Sequence, residues 1–414
     1  MEKLAIHGGP KTKKKPFGTG KRIGEEEKKE VMEALESDVL FYVFGTKVKK
    51  MEEIMKTMYG TKYCNGCSSG TAAVHIALGS LQLKPGTEVI TSSITDMGSL
   101  TGILYQLLIP KFADIDPETY NMDPKSVEKL ITKRTGAILV VHHAGLPAEM
   151  DELLDISNRY GIPIVEDCAQ AHYTSYKGRL CGTMGEVSAF SLNHFKLIST
   201  GSGGMVMTNR EDLEENIKLF VDKCYFRDGR KRNPYFLAPN YQMTELQGAV
   251  AIGQLKKIQD IVKKRNSLGM KLVKGLSEIK GITPQKIPSY STHSFFLLVV
   301  RIDPRIIPIP VSEFCRALEA EGIPCEPNKI TGGMPIYLYD IFKNRSAFPK
   351  SMIPFVSKDL DSNIKYTEGM CPNAEEAFEH TFNFNITEFY TEEDIDDMIR
   401  ATEKVASFYR GGNK

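Results

Sequence analysis

The chain has 414 residues, more than one hydrophobic core usually fills, so its length predicts two domains. Its 53 Lys and Arg are balanced by 52 Asp and Glu, which leaves no field strong enough to collect nucleic acid or an anionic membrane surface. The basic start of the chain is not followed by an apolar run of signal-peptide length, and no long apolar stretch predicts a membrane span.

Eight cysteines are scattered along the chain: Cys64, Cys67, Cys168, Cys181, Cys224, Cys315, Cys325 and Cys371. A chain of this length does not need disulfides for stability, so we expect reduced thiols and a cytoplasmic location. Cys64 and Cys67 form a CxxC pair, a spacing found in zinc sites and in redox pairs. Because no second CxxC or Cys/His cluster accompanies it, we expect a structural role and no metal site.

Short β-rich apolar runs alternate with helical stretches between about residues 60 and 210. The predicted strands are Glu88–Thr91, Pro110–Ile115, Ala137–His142, Pro163–Glu166 and Met205–Thr208. This alternation predicts a parallel sheet with helices on both faces.

The second half of the chain begins with a helix start signal. Thr244 and Gln247 have the spacing of a capping box, and they open a helical pattern that is predicted to lead out of the large domain. The elements predicted beyond it are a β-rich run at Ser294–Ile302, a helix at Ser312–Glu321 and an amphipathic helix at Glu392–Tyr409. We therefore predict a large domain over residues 1–262 and a compact α+β domain over residues 263–414.

Four separated segments contain residues suited to chemistry. The first, SSGT, ends in Gly70 and Thr71 and precedes a helical pattern, so its backbone N–H groups are placed to bind phosphate at a helix N-terminus. An ordinary helix cap explains the same residues. The second segment is an apolar strand that ends in Asp167, with Gln170 three residues later. Open α/β sheets bind ligands at this edge, although Asp167 in isolation is equally typical of a helix cap.

The third segment places Lys196 between an apolar strand and a Gly-rich turn, with Ser191 five residues before it. A lysine that is partly desolvated there loses its proton easily and becomes an amine nucleophile for carbonyls. Most loop lysines are simply solvated, so this lysine alone leaves both interpretations open. The fourth segment is a polar loop that includes Asn240 and precedes the capped helix.

In this order and spacing the segments resemble the DegT/DnrJ/EryC1/StrS family of pyridoxal-phosphate aminotransferases. The motifs that carry the resemblance are PGTEVIT, FADIDPETYNMDP, VEDCAQAH, YKGRLCGTMGEVSAFS, FKLISTGSGG and NYQMTELQGAVAIGQL, which span most of the chain. The resemblance implies the α/β fold type I of pyridoxal-phosphate transferases. In that fold a large domain with a mostly parallel seven-stranded sheet between helices is followed by a smaller α+β domain.

The resemblance also implies roles for individual residues. Lys196 matches the lysine that binds the cofactor aldehyde covalently, Asp167 the acid that pairs with the pyridine nitrogen, and Gln170 the glutamine beside the ring hydroxyl. Transamination needs such an amine to hold and release the aldehyde, and such an acid to keep the ring protonated. The freed lysine amine is then placed to shuttle a proton.

The remaining matches concern the cofactor phosphate. Gly70, Thr71 and Ser191 correspond to the family's phosphate-binding residues. Asn240 matches an asparagine that reaches the phosphate from a neighbouring subunit, which implies a homodimer with shared active sites.

Three positions depart from the family pattern. Asp96 or Met97 stands where many relatives have an aromatic residue that stacks on the cofactor ring, and we assign both as candidate cofactor contacts. Ser202 replaces the usual Glu of the Gly-rich turn, and Gln242 replaces the usual Arg of the NYRM motif. None of these changes removes the roles of the lysine, the acid or the phosphate-binding groups.

The leading hypothesis is an aminotransferase that converts the ketone of a sugar, expected to be nucleotide-linked, or of a cyclitol into an amine, with glutamate or glutamine as donor. A pyridoxal-phosphate sugar dehydratase is the first alternative. Dehydratase relatives have histidine in place of the lysine, so Lys196 argues against it, and His194 is expected to have a structural or pocket-lining role. A non-catalytic cofactor-binding regulator is the second alternative, but no DNA-binding segment is apparent.

Overall fold

The computed structural model of the chain describes residues 2–327 and 332–411. In chain order the strands are β1 (Tyr63–Cys67), β2 (Glu88–Ser92), β3 (Ile109–Ala113), β4 (Thr135–Val141), β5 (Ile164–Asp167), β6 (Ser175–Tyr176), β7 (Arg179–Leu180), β8 (Val187–Ser191), β9 (Gly204–Thr208), β10 (Ile282–Pro284), β11 (Leu298–Ile302), β12 (Glu326–Pro327), β13 (Val356–Ser357), β14 (Ser362–Asn363) and β15 (Thr381–Phe384). The helices are α1 (Glu25–Glu36), α2 (Lys47–Tyr59), α3 (Gly70–Ser80), α4 (Met97–Tyr105), α5 (Pro124–Leu130), α6 (Met150–Tyr160), α7 (Glu211–Val221), α8 (Glu245–Leu255), α9 (Ile258–Ser277), α10 (Val311–Ala320), α11 (Asp340–Lys343), α12 (Pro372–His380) and α13 (Glu392–Arg410).

A seven-stranded sheet in the order β1-β9-β8-β5-β4-β2-β3 forms the centre of the molecule. All neighbouring strands from β8 to β3 pair in parallel, whereas β9 runs antiparallel to both β1 and β8. The predicted α/β fold with a mostly parallel seven-stranded sheet is thereby confirmed. The five predicted strands are present with ends shifted by one or two residues, and β1 and β8 complete the sheet.

The CxxC pair lies within β1, where neighbouring side chains alternate between the two faces of the sheet. Cys64 therefore packs in the apolar cluster around Met51 of α2, and Cys67 packs in the cluster around Ile76 of α3. Both thiols are buried on opposite faces. Because of this placement they cannot bind one metal ion together or form a disulfide with each other.

The capping box predicted at Thr244 and Gln247 is confirmed. The Thr244 hydroxyl accepts the Gln247 N–H at 3.3 Å, and the Gln247 side chain accepts the Thr244 N–H at 2.9 Å. The long helix predicted from this point is in fact two helices, since α8 ends at Leu255 and α9 starts at Ile258. The N–H of Lys257 bonds to the carbonyl of Gln254, three residues back, and this tighter turn interrupts the α-helical ladder.

A second, antiparallel sheet in the order β10-β11-β15-β12 packs against α9, α10 and α13. The predicted β-rich run contains β11, and the two helices predicted in this region are present as α10 and α13. The N-terminal segment joins this part of the molecule, because Leu4 is buried in its apolar cluster and Lys13 forms buried ion pairs with Asp394 and Asp397. The boundary between residues 262 and 263 stays a prediction.

None of the described helices is both long and apolar enough to cross a membrane.

The helix α6 illustrates how a helix of the large domain packs on the sheet and ends ahead of a strand. Its apolar side chains Met150, Leu153 and Ile156 are buried, and the helix ends at Gly161, whose φ of 66° suits glycine. The chain then turns directly into β5, which carries the strand-end acid.

A buried acid away from the cavity is expected to make the stability of the fold depend on pH. Glu52 of α2 accepts the backbone N–H of Gly66 in β1 at 2.8 Å. Burial raises the pKa of Glu52 from its ordinary value of 4.5 to about 7, against the lowering effect of the Gly66 hydrogen bond, and the charge of Glu214 raises it further. An acid with a higher pKa in the folded state destabilises the fold when it is ionised, so stability falls as pH rises from 4.5 towards 7.

The substitution Glu52→Gln keeps an acceptor for Gly66 and removes the buried charge. We expect the variant to melt roughly 1–3 °C above the wild type at pH 8 in thermal unfolding, with the difference vanishing at pH 4. Glu53→Gln, at the exposed neighbouring position, is the matched control and should show no such dependence. Equal melting temperatures of wild type and Glu52→Gln at pH 8 would contradict this assignment.

Candidate active site

A cavity of about 700 Å³ lies at the carboxyl ends of the parallel strands. This is where open α/β sheets bind their ligands, because the strand-end loops there converge from several strands. The loops after β2, β5 and β8 and the N-terminus of α3 form its floor, and residues 296, 297, 383 and 385 close it from the side of the second sheet. The cavity therefore combines groups that are far apart in sequence.

Lys196 lies in this cavity on the loop between β8 and β9. Its side chain is largely buried, and its amine nitrogen is 4.7 Å from the centre of the Phe296 ring. Burial lowers the pKa of Lys196, while the negative charges of Asp167 and Asp96 act in the opposite direction. A lowered pKa favours release of a proton, and the neutral amine is the form that attacks a carbonyl.

Asp167 ends β5 and is 5% exposed. One carboxylate oxygen accepts the Ser99 hydroxyl at 2.7 Å, and the other accepts the N–H of Ala169 at 3.0 Å. Burial raises the pKa of Asp167, and these hydrogen bonds, together with the charge of Lys196, oppose that rise. Such an acid is ready to pair with a cationic partner in the cavity.

Gln170 lies beside this acid with its side chain in a single orientation. Its carboxamide oxygen accepts the N–H of Ala144 at 2.7 Å, so the side-chain NH₂ group is left to donate. The backbone of Ala144 has the unusual φ of 59°, and the Gln170 carbonyl accepts the Ser294 hydroxyl at 2.8 Å. The glutamine is thus held from two sides and offers a donor to the cavity.

The N-terminus of α3 faces the same space. Ser69 caps the helix by accepting the N–H of Ala72 at 3.0 Å, whereas the amides at the very start of a helix have no intrahelical acceptor. A Cβ atom at Gly70 would lie 2.5 Å from the Ser191 Cβ, so only glycine allows this close approach. Thr71 and Ser191 add hydroxyl groups to this end of the cavity, which becomes a cradle for an anion.

These groups fit pyridoxal phosphate. The helix N-terminus and the hydroxyls suit its phosphate, the amine of Lys196 suits its aldehyde, and the carboxylate of Asp167 suits its ring nitrogen. The close approach at Gly70 and the fixed orientation of Gln170 are features of the chain itself. The phosphate interpretation of SSGT is therefore favoured over a plain helix cap, and Lys196 is not a solvated loop lysine.

The two candidates at the ring-stacking position have different surroundings. Asp96 lines the cavity as the N-cap of α4, and its carboxylate accepts the N–H of Gly98 at 2.8 Å. Met97 begins α4 and packs against the apolar cluster beneath it instead of lining the cavity. Of these two positions, the structure thus brings only Asp96 next to Lys196.

Other predicted positions lie at the rim or outside the cavity. Ser202 lines it, and its hydroxyl donates to the Ser68 carbonyl at 3.0 Å. His194 is exposed on the lysine loop. Asn240 is also exposed, beside Asp222, and does not line the cavity of its own chain. The side-chain nitrogen of Gln242 is buried and has no hydrogen-bond partner in the described part of the chain.

Several cavity residues were not predicted from the sequence. Ser99 bonds both to Asp167 and to the Thr95 hydroxyl, at 2.7 and 2.8 Å. Asn383 lies in β15 and Asn385 directly follows it, while the aromatic side chains of Phe382 and Phe384 point into the core. The alternation Phe-Asn-Phe-Asn is typical of a strand with one polar face, and it could have identified the two asparagines. Nothing in the sequence could have paired Ser99 with Asp167.

One buried group near the site has ligand types that metals use. The ligand atoms of His142, Glu166 and Cys168 lie within 4.8 Å of one another. His142 accepts the N–H of Ala148 on Nδ1 and donates from Nε2 to Glu166 at 3.0 Å, while the Glu166 carboxylate accepts three further backbone N–H groups. Because the imidazole nitrogens and the carboxylate oxygens are already engaged, we assign this group a structural role.

The model of the DegT/DnrJ/EryC1/StrS aminotransferase family matches residues 21–355. The chain is 30% identical over 392 residues to the spore coat polysaccharide biosynthesis protein SpsC of Bacillus subtilis, covering 92% of this chain and 95% of SpsC. It is also 30% identical over 416 residues to a putative L-glutamine:3-amino-2,3-dideoxy-scyllo-inosose aminotransferase of Micromonospora echinospora, covering 98% and 97%. A solved aminotransferase from Psychrobacter cryohalolentis superposes with a TM-score of 0.83 at 26% identity, covering 95% of this chain and 99% of that one.

The position of Asp96 leads to a prediction about the lysine amine. Removing this charge by Asp96→Asn should lower the pKa of Lys196 further, because burial then acts against one carboxylate instead of two. The measurement is the pH dependence of Lys196 acetylation in the cofactor-free protein, read by mass spectrometry. Helix capping should change little, since asparagine caps helices about as well as aspartate.

Asp123→Asn is the matched control for this experiment. Asp123 caps α5 in the same way, by accepting the N–H of Lys125 at 3.0 Å, and it does not line the cavity. We expect this variant to titrate like the wild type. An Asp96→Asn protein with an unchanged Lys196 titration would show that the two groups do not interact.

Proposed function

The chain belongs to the DegT/DnrJ/EryC1/StrS family of pyridoxal-phosphate-dependent aminotransferases, and on that basis we propose that it converts the ketone of a nucleotide-linked sugar or of a cyclitol into an amine. The observation that carries the proposal is the single cavity in which the Lys196 amine, the Asp167 carboxylate and the helix N-terminus at Gly70 meet. Glutamate or glutamine is the proposed donor. Both full-length relatives described above are named for sugar or cyclitol metabolism.

We assign the residues of the cavity the following roles. When bound, pyridoxal phosphate supplies an aldehyde for the amino group and a ring that withdraws electrons from the reacting carbon. Lys196 would hold the cofactor covalently, and its Nζ, once released, would carry a proton between the substrate carbon and the cofactor carbon on either side of the transferred nitrogen. Asp167 would keep a proton on the ring nitrogen.

The other residues of the cavity hold and orient the cofactor. Gln170 donates its side-chain NH₂ to the ring hydroxyl, as its fixed orientation allows. Gly70, Thr71 and Ser191 bind the phosphate through backbone and hydroxyl donors. Asp96 faces the reacting groups from the wall of the cavity.

The side of the cavity formed by the second sheet supports a substrate rich in hydroxyl groups. Asn385, Asn383 and Glu326 line it, and amide and carboxylate groups of this kind bind sugar hydroxyls through directional hydrogen bonds. We therefore place the keto substrate against this wall.

We also propose that two copies of the chain share their active sites. Phe41 and Phe44 form an exposed aromatic pair with ring centres 5.7 Å apart, and Tyr42 next to them donates to Asp222 at 3.2 Å. Asp222 is in turn the bridge partner of Asn240. Asn240 thus belongs to a surface with exposed apolar side chains and not to its own cavity, as expected if a second copy covers this surface. The cytoplasmic location stays a prediction.

The covalent bond proposed between Lys196 and the cofactor can be tested directly. The purified protein should be yellow, and borohydride should fix the cofactor to the Lys196 peptide, whereas Lys196→Ala should retain no cofactor after reduction and lose about 10²- to 10⁴-fold in turnover. Lys84→Ala, at an exposed lysine outside the cavity, is the control and should behave like the wild type. A wild-type protein without cofactor absorbance would overturn the assignment.

The substrate class is tested with the protein in its aminated, pyridoxamine-phosphate form. A panel of keto-sugars, free and nucleotide-linked, and of ketocyclitols should return this form to the pyridoxal form, read as a change in absorbance. Glutamate and glutamine should reverse the change. If simple 2-oxo acids react and every polyhydroxylated ketone fails, the proposed substrate class is wrong.

The shared site is tested by mixing inactive subunits. Lys196→Ala and Asn240→Ala proteins should each be inactive, and co-expression of equal amounts should restore about one quarter of the wild-type activity, because half of the dimers then contain one intact site. Lys196→Ala mixed with Asp167→Asn should restore none, since both changes affect the same chain's site. Absence of recovery with the Asn240 variant would mean that the phosphate is bound within one subunit.

A further inference from the structure

A single side chain from the N-terminal segment holds the main chain of the lysine loop. Nη1 of Arg22 donates to the carbonyl oxygen of Lys196 at 2.9 Å and lies 3.4 Å from that of His194. The carbonyl of Arg22 itself accepts the side chains of Gln254 at 2.9 Å and Lys257 at 3.1 Å. Arg22 therefore connects α8 and the turn after it to the loop that presents the reactive amine.

The same guanidinium faces a buried carboxylate. Oε2 of Glu388 accepts two hydrogen bonds from Arg265, at 2.8 and 2.6 Å, and these side chains are 9% and 4% exposed. Oε1 of Glu388 is buried without a hydrogen bond in the described part of the chain, and its ion-pair partner there is Nε of Arg22 at 3.4 Å. Without Arg22 this oxygen would be a buried charge with no compensation on that side.

Glu388 belongs to a segment that also forms the cavity wall. Asn383, in β15, and Asn385, just after it, line the cavity, and Glu388 follows three residues later. A displacement of this segment would therefore move Glu388, and through it Arg22 and the carbonyl of Lys196. These groups are connected by a short stretch of backbone, an ion pair and a direct hydrogen bond.

The lysine loop is buried after the lysine, at Leu197 and Ile198, but exposed before it. It is closed by backbone bonds from Leu192 to the carbonyl of Gly203 and from His194 to that of Gly201, at 2.8 and 3.0 Å, but it forms neither helix nor strand around the lysine. Phe195 beside the lysine is 77% exposed. On this exposed side the Lys196 N–H bonds to the Asn193 carbonyl at 2.9 Å, and the contact of Arg22 with the Lys196 carbonyl is a further restraint on where the lysine side chain starts.

We propose that Arg22 is a positioning residue for Lys196, and that Glu388 ties this contact to the cavity wall of the second sheet. The proposal rests on the proposed function, because it assigns Lys196 as the reactive amine. A displacement of about 1 Å at such a group costs up to about 100-fold in rate. A simple anchor for the N-terminal segment would instead contribute stability alone.

The experiment compares the holoenzyme with Arg22→Ala, Arg22→Lys and Glu388→Gln. For each, the rate of the half-reaction with the amino donor is measured per bound cofactor, together with hydrogen exchange of the peptide over residues 192–203 and the melting temperature. We expect Arg22→Ala to lower the rate about 10- to 100-fold at a similar KM for the donor and to accelerate exchange in the lysine loop. Arg22→Lys should recover part of both effects, and Glu388→Gln should show a smaller loss than Arg22→Ala.

Lys257→Ala is the matched control, because it removes a contact to the Arg22 carbonyl and leaves the Arg22 side chain in place. It should lower the melting temperature without changing the rate per bound cofactor or the exchange of the loop. If Arg22→Ala behaves like this control, or if Lys257→Ala slows the reaction as strongly, the positioning role is overturned. The exchange measurement needs no turnover, so it decides on the Arg22 contact even where the proposed substrate class fails.

Discussion

The site depends on the balance between burial and negative charge at the amine of Lys196. Burial favours the neutral amine that can attack a carbonyl, and a direct ion pair would cancel this effect by stabilising the charged form. In the described part of the chain no ion pair joins Lys196 to a carboxylate. Asp167 is instead satisfied by Ser99 and by a backbone N–H, so it acts on the amine through its charge without binding it. The acid and the amine can therefore share one cavity and keep separate roles.

The parallel sheet makes this arrangement possible because all of its strand-end loops open at the same edge. Asp167 comes from β5, Ser191 of the proposed phosphate site from β8 and Asp96 from the loop after β2. The second sheet then completes the wall with Asn383 and Asn385. Through Glu388 and Arg22 the same segment also contacts the lysine loop, so direct contacts connect the wall at which we propose that substrate binds with the loop that carries Lys196.

The sequence was most informative where local rules suffice. Strand ends, the capping box at Thr244 and the motif around Lys196 follow from short-range patterns, and the resemblance turned four weak segments into one coherent site. It was least informative for β1, whose central Asn-Gly breaks the apolar pattern, and for the break between α8 and α9. The role of Ser99 could not have been predicted, because it depends on a hydrogen bond of 2.7 Å to Asp167, which is 68 positions away in the sequence.

The sequence by itself determined the α/β class, the family and the cofactor, and it singled out Lys196 and Asp167 as the candidate amine and acid, since these conclusions depend on residue types at short spacings. Only the tertiary structure decided which of Asp96 and Met97 faces the cavity. Neighbouring side chains at the start of a helix point in different directions, so Asp96 lines the cavity and Met97 packs against the core. It also decided that Cys64 and Cys67 are separated by the sheet and that Arg22 reaches Lys196. These outcomes depend on which surfaces come into contact when the chain folds, and spacing along a sequence does not record such contacts.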